Sequence, residues 1–278
     1  MAQILDGKKL RDKILTELKL KIDKFEKKPT LVVILVGENP ASKIYVNNKK
    51  KTAEKLGINS KVIQYPQNIT EDELLNKIKE LNNDDSVTAL LVQLPLPEHI
   101  SKENVINTIS PKKDVDGFTP ENFGKLFSGE EPMVYPCTPK GIMLLLAEYN
   151  IEVEGKHVVI VGRSNIVGKP LSQMMLNKNA TVTVCHSKTK NLTEIIKTAD
   201  VVVSAVGKNV IKGEMLKNDC VVVDVGIFKD ENGKTRGDVD FATASLVASY
   251  ISPVPGGVGP MTITSLMLNT VELFEKSL

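Results

Sequence analysis

The stretch Asn39-Pro40-Ala41-Ser42-Lys43-Ile44-Tyr45-Val46-Asn47-Asn48-Lys49-Lys50-Lys51 carries residue types suited to chemistry at a helical spacing. Asn39 can cap a helix, Pro40 fits its first turn, and Gly57 is placed to end it after Leu56. Tyr45 and Lys49 then stand at i and i+4 on one face, so a ring able to stack on a flat heterocycle lies beside an amine able to transfer a proton. On spacing alone a solvated lysine face is the stronger reading, since Lys49, Lys50 and Lys51 cannot all be buried. Gln93 closes an apolar run ahead of Leu94-Pro95-Leu96-Pro97. Its amide can hold a lysine or a substrate edge, or simply satisfy a strand end. Asp114-Val115-Asp116-Gly117-Phe118 reads as a tight turn bearing two carboxylates. A carboxylate can accept two parallel hydrogen bonds from an amino-pyrimidinone edge, although turn capping is the commoner role of Asp before Gly.

A second group suits phosphate. The run His157-Val158-Val159-Ile160-Val161 leads into Gly162-Arg163-Ser164-Asn165-Ile166-Val167-Gly168-Lys169-Pro170, a glycine-bounded turn that opens a helix. Glycines let backbone approach a dinucleotide pyrophosphate, and the free N–H groups and dipole of a helix start favour its charge. The turn is not GxGxxG, because Ser164 stands where the second glycine would, so an ordinary strand-to-helix turn stays open as an alternative. The next strand ends in Cys185-His186-Ser187-Lys188 and offers no carboxylate for a ribose 2′-hydroxyl. Arg163, Ser187 and His186 can instead donate to a 2′-phosphate, which favours NADP over NAD. In Pro253-Val254-Pro255-Gly256-Gly257-Val258-Gly259-Pro260-Met261-Thr262, the clustered glycines imply a backbone that bends sharply or approaches a ligand, with a plain mobile loop as the alternative.

These residues need elements to hold them. Short β-branched runs alternate with amphipathic stretches in two series, the pattern of an α/β chain with parallel sheets covered by helices on both faces. The first series contains Leu31 to Val36, Lys61 to Tyr65 and Thr88 to Leu94, with helices near 40–56 and 71–82. The second contains Val158 to Val161, Thr181 to Cys185, Val201 to Ala205, Val221 to Asp224 and Tyr250 to Ser252. Ser110 to Pro139, rich in Pro, Gly, Asp and Glu, reads as the boundary region. Helices are expected over 139–149 and over 260–278, the latter with Pro260 in its first position. A length of 278 residues fits two domains, and a composition 41% hydrophobic and 25% charged excludes a disordered or membrane-embedded chain. The formal charge of +2 makes neither nucleic acid nor an anionic membrane the default partner. Cys137, Cys185 and Cys220 lack disulfide or zinc spacing, and the first residues lack a signal-like apolar run, so a cytoplasmic protein with no metal site is expected.

Taken in order, Ser42…Tyr45-Val46…Lys49, Val92-Gln93-Leu94-Pro95, Lys113-Asp114-Val115-Asp116-Gly117, Pro136-Cys137-Thr138-Pro139, Gly162-Arg163-Ser164…Val167-Gly168…Pro170 and Pro255 to Thr262 resemble the bifunctional methylenetetrahydrofolate dehydrogenase/methenyltetrahydrofolate cyclohydrolase family. The resemblance covers essentially the whole chain. It implies a three-layer α/β folate-binding catalytic domain over 1–138, a Rossmann-like doubly wound NADP domain over 139–261, and a final helix over 262–278 able to pack back on the first. It implies a folate substrate in the cleft between the domains and a homodimer formed through the cofactor domains. The implied reactions are NADP-dependent oxidation of 5,10-methylenetetrahydrofolate to the 5,10-methenyl cation and its hydrolysis to 10-formyltetrahydrofolate. Lys49 would be the general acid/base, Gln93 would orient it, Tyr45 would stack on the folate and Asp116 would accept from the pterin. Val92, Leu94, Pro255, Gly256, Gly257, Val258 and Gly259 would complete the substrate site. Gly162, Arg163, Ser164, Ser187 and Ile227 would line the NADP site. A different dinucleotide dehydrogenase or a non-catalytic nucleotide-binding protein are the rival readings; neither gives Tyr45 and Lys49 a role.

Overall fold

A computed structural model describes residues 1–278. Its strands, in chain order, are β1 (Gln3–Ile4), β2 (Thr30–Val36), β3 (Asn59–Tyr65), β4 (Ala89–Val92), β5 (His157–Val161), β6 (Thr181–Cys185), β7 (Val201–Ser204), β8 (Val221–Asp224), β9 (Phe228–Lys229), β10 (Thr235–Arg236) and β11 (Tyr250–Ile251). They fall in two compact units, each assembled from two stretches of chain. One comprises Ile14–Cys137 with Ile263–Leu278, the other Met1–Lys13 with Thr138–Thr262.

The first unit is built on a parallel sheet of order β3-β2-β4. Successive residues of a strand point to opposite faces, and here both faces are covered, which is why β2 is apolar without alternation. Leu31, Val33 and Leu35 pack with Leu18, Ile22, Leu266, Met267 and Val271 on one side. Val32, Ile34 and Val36 pack with Leu74 and Ile78 on the other. The helix Pro40–Leu56 starts where the Asn39 side chain accepts from Ser42 N and stops at Gly57, whose φ of 84° is the left-handed value glycine tolerates. The helix Glu71–Asn82 begins with a capping box between Thr70 and Glu73.

Of the expected boundary region Ser110 to Pro139, residues 110–137 are folded into this unit, and the division between units falls at its end, after Cys137. Asp114 pairs with Leu90 beside β4, and the helix Pro120–Ser128 follows.

The second unit carries a parallel sheet of order β1-β11-β8-β7-β5-β6. The chain steps from β5 to β6 on one side, then returns to place β7 on the other side of β5. The strand order therefore reverses at β5, and the carboxyl ends of β5 and β7 flank a crevice where doubly wound sheets bind ligands. A small antiparallel hairpin, β9-β10, follows β8.

Two boundaries differ from the sequence reading. Residues 1–13 lie with the six-stranded sheet and not with the three-stranded one, because β1 pairs with β11 and Leu5 N donates to Ile251 O at 2.9 Å. The last helix runs Val258–Lys276, so Pro260 sits within its first turn instead of opening it, a place where a missing N–H costs nothing. Its residues from Ile263 onward belong to the three-stranded unit. No helix is long and apolar enough to cross a membrane.

Candidate active site

Within the three-stranded unit, Lys49 occupies the third turn of the capped helix Pro40–Leu56, and its Nζ donates to Gln93 Oε1 at 3.0 Å. Gln93 is fixed from both sides of its amide. Its Nε2 donates to Leu94 O at 2.7 Å, and its backbone N donates to Ile34 O at 2.8 Å, so the residue caps β4 while aiming an acceptor at the lysine. The neighbouring lysines are disposed otherwise: Lys50 faces Glu54 at 3.8 Å, and Lys51 is exposed. Tyr45 stands 48% exposed one turn before Lys49, leaving its ring free for a ligand.

The two carboxylates of the Asp114–Gly117 turn have separate work. Asp114 is buried and accepts from Gly117 N at 3.0 Å, Thr119 N at 2.7 Å and Asn122 Nδ2 at 3.0 Å. It holds the turn. Asp116 has only the weak Cys137 Sγ contact at 3.7 Å, and it lines a crevice with Val92, Leu94, Asp114 and Phe118. Burial raises its pKa above the usual carboxylate range; the Lys49 cation opposes that rise, and Asp114 reinforces it. Lys49, Gln93, Val92, Leu94 and Asp116 thus converge at the carboxyl end of β4.

The six-stranded unit holds the other group. Gly162 has φ 128°, and a Cβ there would lie 2.6 Å from Ala205 O. A Cβ on Gly168 would collide with the carbonyl oxygen of Gly162. Only glycines allow the helix Gly168–Leu176 to start this close to β5. Ser164, the residue that breaks the glycine fingerprint, puts its Oγ under that helix start, where it accepts from Val167 N at 3.2 Å. No protein group accepts from the N–H groups of residues 163–166, which leaves this rim of the turn open to an anionic ligand. Because Val161 pairs with Cys185, Arg163 and Ser187 each stand just past the paired ends of β5 and β6, and both are exposed. His186 instead serves its own turn, its Nδ1 accepting from Lys188 N at 3.1 Å. Ile227 is 48% exposed beyond β8. A dinucleotide carrying a 2′-phosphate fits these residues: glycine turn, open N–H groups, a guanidinium and no carboxylate at the end of β6.

The Pro255–Gly259 segment lies in this same unit and is held rather than loose. Lys8 N donates to Gly256 O at 3.2 Å, and a Cβ on Gly7 would collide with Gly257 O. Gly256, Gly257 and Val258 are buried, while Pro255 and Gly259 are exposed.

Sequence reasoning missed a buried polar knot below the carboxyl ends of β7 and β8. Asp238 accepts from Ser204 Oγ at 2.9 Å, Val206 N at 2.7 Å and Lys208 N at 2.8 Å. Asp224 accepts from Asp238 N at 2.9 Å and Val239 N at 3.0 Å, and burial pushes its carboxyl up to about 7. The available signal was an acid ending the otherwise apolar Val221-Val222-Val223-Asp224. No group of three or more His, Cys, Asp or Glu is placed to hold a metal ion.

Comparison with known proteins places both groups in context. Residues 5–116 match the family model for the catalytic domain of tetrahydrofolate dehydrogenase/cyclohydrolase, and residues 136–278 match that for its NAD(P)-binding domain. The bifunctional protein FolD of Ligilactobacillus salivarius is 54% identical over 281 residues, covering 100% of this chain and 98% of that protein. The crystal structure of the bifunctional FolD methylenetetrahydrofolate dehydrogenase/cyclohydrolase from Campylobacter jejuni is 50% identical, with a TM-score of 0.98 over 100% of both chains. The Trypanosoma brucei N5,N10-methylenetetrahydrofolate dehydrogenase-cyclohydrolase, solved with NADP cofactor and an inhibitor, is 36% identical with a TM-score of 0.94, covering 99% of this chain and 98% of that one.

Proposed function

The chain belongs to the tetrahydrofolate dehydrogenase/cyclohydrolase family, and on that premise we propose how its residues divide two consecutive reactions on one bound folate. The protein is an NADP-dependent methylenetetrahydrofolate dehydrogenase and methenyltetrahydrofolate cyclohydrolase. The three-stranded unit binds the folate and the six-stranded unit binds NADP. When bound, NADP⁺ supplies the hydride acceptor for oxidation of the methylene bridge. The chain's part in that step is positioning: Tyr45 stacks on the folate, Asp116 accepts hydrogen bonds from the pterin edge, and Val92 and Leu94 wall the crevice. Gly162, Ser164 and the open N–H groups cradle the pyrophosphate, Arg163 and Ser187 hold the 2′-phosphate, and Ile227 packs against the cofactor. The buried Gly256, Gly257 and Val258 set the shape of the segment that leaves Pro255 and Gly259 exposed for a ligand.

Hydrolysis adds water to the amidinium carbon of the methenyl product, and one C–N bond of that ring then breaks to leave the formyl group. A proton must leave the attacking water and another must reach the departing nitrogen. Lys49 performs both transfers, and Gln93 aims its Nζ. The observation that supports this assignment is the 3.0 Å bond from Lys49 Nζ to Gln93 Oε1, which holds the amine at the carboxyl end of β4.

We also read the enzyme as a cytoplasmic homodimer joined through the six-stranded units. Family resemblance supports the dimer, and three buried cysteines, none in a disulfide, accord with a reducing compartment.

The direct test follows NADPH formation and methenyl decay with purified protein and methylenetetrahydrofolate. Lys49→Gln should slow methenyl hydrolysis by roughly 10²- to 10⁴-fold and hydride transfer far less. Equal losses in a folded variant would remove Lys49 from the proton-transfer role.

A further inference from the structure

The loop after β7, Ala205 to Lys208, abuts one of the groups assigned to the dinucleotide and lies near a second. The turn at Gly162 packs so closely on it that a Cβ would lie 2.6 Å from Ala205 O. A Cβ on Gly207 would reach Ile227 O at 4.0 Å. The loop is therefore a spacer between the phosphate turn and Ile227, and Val206 on it is 36% exposed. Such a short loop has few backbone bonds of its own: Ala205 N donates to Val161 O, while the N–H groups of Val206 and Lys208 both turn to the Asp238 carboxylate. Asp238 is fully buried and takes a third bond, from Ser204 Oγ at 2.9 Å. It is seated from the other side too, because a Cβ on Gly226, next to Ile227, would collide with Asp238 Oδ1. One side chain thereby sets the height of the β7 loop and abuts the loop that bears Ile227.

We propose that Asp238 is a positioning residue for NADP: its carboxylate fixes the Ala205–Lys208 loop against Gly162 and Ile227, so cofactor affinity depends on a side chain that is buried beneath the loop. Asp224 supports it from below by accepting from Asp238 N and Val239 N, which holds the backbone of residue 238 at the carboxyl end of β8. Charge-assisted bonds to backbone N–H groups are the strong kind, and two of them restrain the loop before any ligand arrives.

This inference rests on the assignment of the Gly162 turn and Ile227 to the cofactor. Asp238→Asn keeps the shape but turns an amide NH₂ toward a backbone donor, so the loop loses one restraint and gains a repulsion. Steady-state kinetics should then show KM for NADP⁺ raised about 10- to 100-fold with kcat changed much less. Methenyl hydrolysis, which needs no cofactor, should stay near the wild-type rate and report that the fold is kept. Ser204→Ala removes one of the three donors to the buried carboxylate while leaving both backbone bonds in place, and should raise KM for NADP⁺ by several-fold. Unchanged KM in both variants would overturn the inference, as would a matching loss of hydrolysis, which would make Asp238 a residue of the fold alone. Titration of wild-type protein with NADP⁺ is the separate control: failure of wild type to bind would sink the cofactor-site assignment itself, independently of either variant.

Discussion

Two acids in one turn, Asp114 and Asp116, differ in what their oxygens meet, and that difference decides their roles. Asp114 already satisfies three donors within the protein. Asp116 has a single weak thiol donor and an open crevice. Asp116→Ala should therefore weaken folate binding by about 10- to 150-fold, the worth of charge-assisted bonds of about 1.5–3 kcal/mol, while NADP binding and stability stay near wild type. Asp114→Ala should instead lower stability by about 1–3 kcal/mol, because Thr119 N and Asn122 Nδ2 lose a buried acceptor. Calorimetry for the ligands and denaturant titration for the fold separate the two; a large stability loss on Asp116→Ala would reverse the assignment. Sequence showed that this turn mattered but not which acid faces out: Asp before Gly usually caps, which points to Asp116, whereas the structure gives that work to Asp114. Lys49 was similarly hidden among Lys50 and Lys51. What singles it out is Gln93, a partner 44 residues away, and no local pattern announces such a contact.

At the scale of the element, the strand-to-helix turn after β5, which we propose as the phosphate cradle, keeps its close approach to the sheet without the usual glycine fingerprint. Two glycines remain where side chains would strike Ala205 O and Gly162 O, and Ser164 satisfies a helix-start N–H that its replacement would leave open. The same turn projects Arg163 beyond β5, beside the carboxylate-free end of β6. Arg163→Ala should therefore reduce NADP⁺ use by about 10- to 150-fold, worth about 1.5–3 kcal/mol, with NAD⁺ much less affected. Raising salt should narrow the wild-type gap between the cofactors, because the pair is exposed and screened. Steady-state kinetics with both cofactors decides it: equal losses would assign Arg163 to the pyrophosphate. The long elements were legible because burial on two faces writes an unbroken apolar run, as in β2, and because caps bracket the helix Pro40–Leu56. The two-residue strands β1, β9 and β10 were not, since so short a segment has no period to read.

Across the whole molecule, stability is tied to pH through Asp224. Its folded-state pKa, pushed up to about 7 chiefly by burial, lies well above that of an unfolded aspartate. Between about pH 4 and about 7 the native protein thus holds a proton that the unfolded chain has released, so this group favours folding more as pH falls and contributes nothing further above its folded pKa. Denaturant titrations at a series of pH values should show wild-type stability declining as pH rises through that window relative to Asp224→Asn, which has no proton to exchange; parallel curves would refute it. The order of the two units along the chain has its own consequence. The three-stranded unit begins at Ile14 but takes Leu266, Met267, Val271 and Leu273 from the far end of the sequence into the core beneath β2. During synthesis on a ribosome, the first sheet to emerge must wait with Leu31, Val33 and Leu35 only partly covered, by Leu18 and Ile22, until the last helix leaves the exit tunnel. A premature stop after Thr262 therefore yields a chain whose missing piece is a wall of the three-stranded unit, although the break lies in the far half of the sequence.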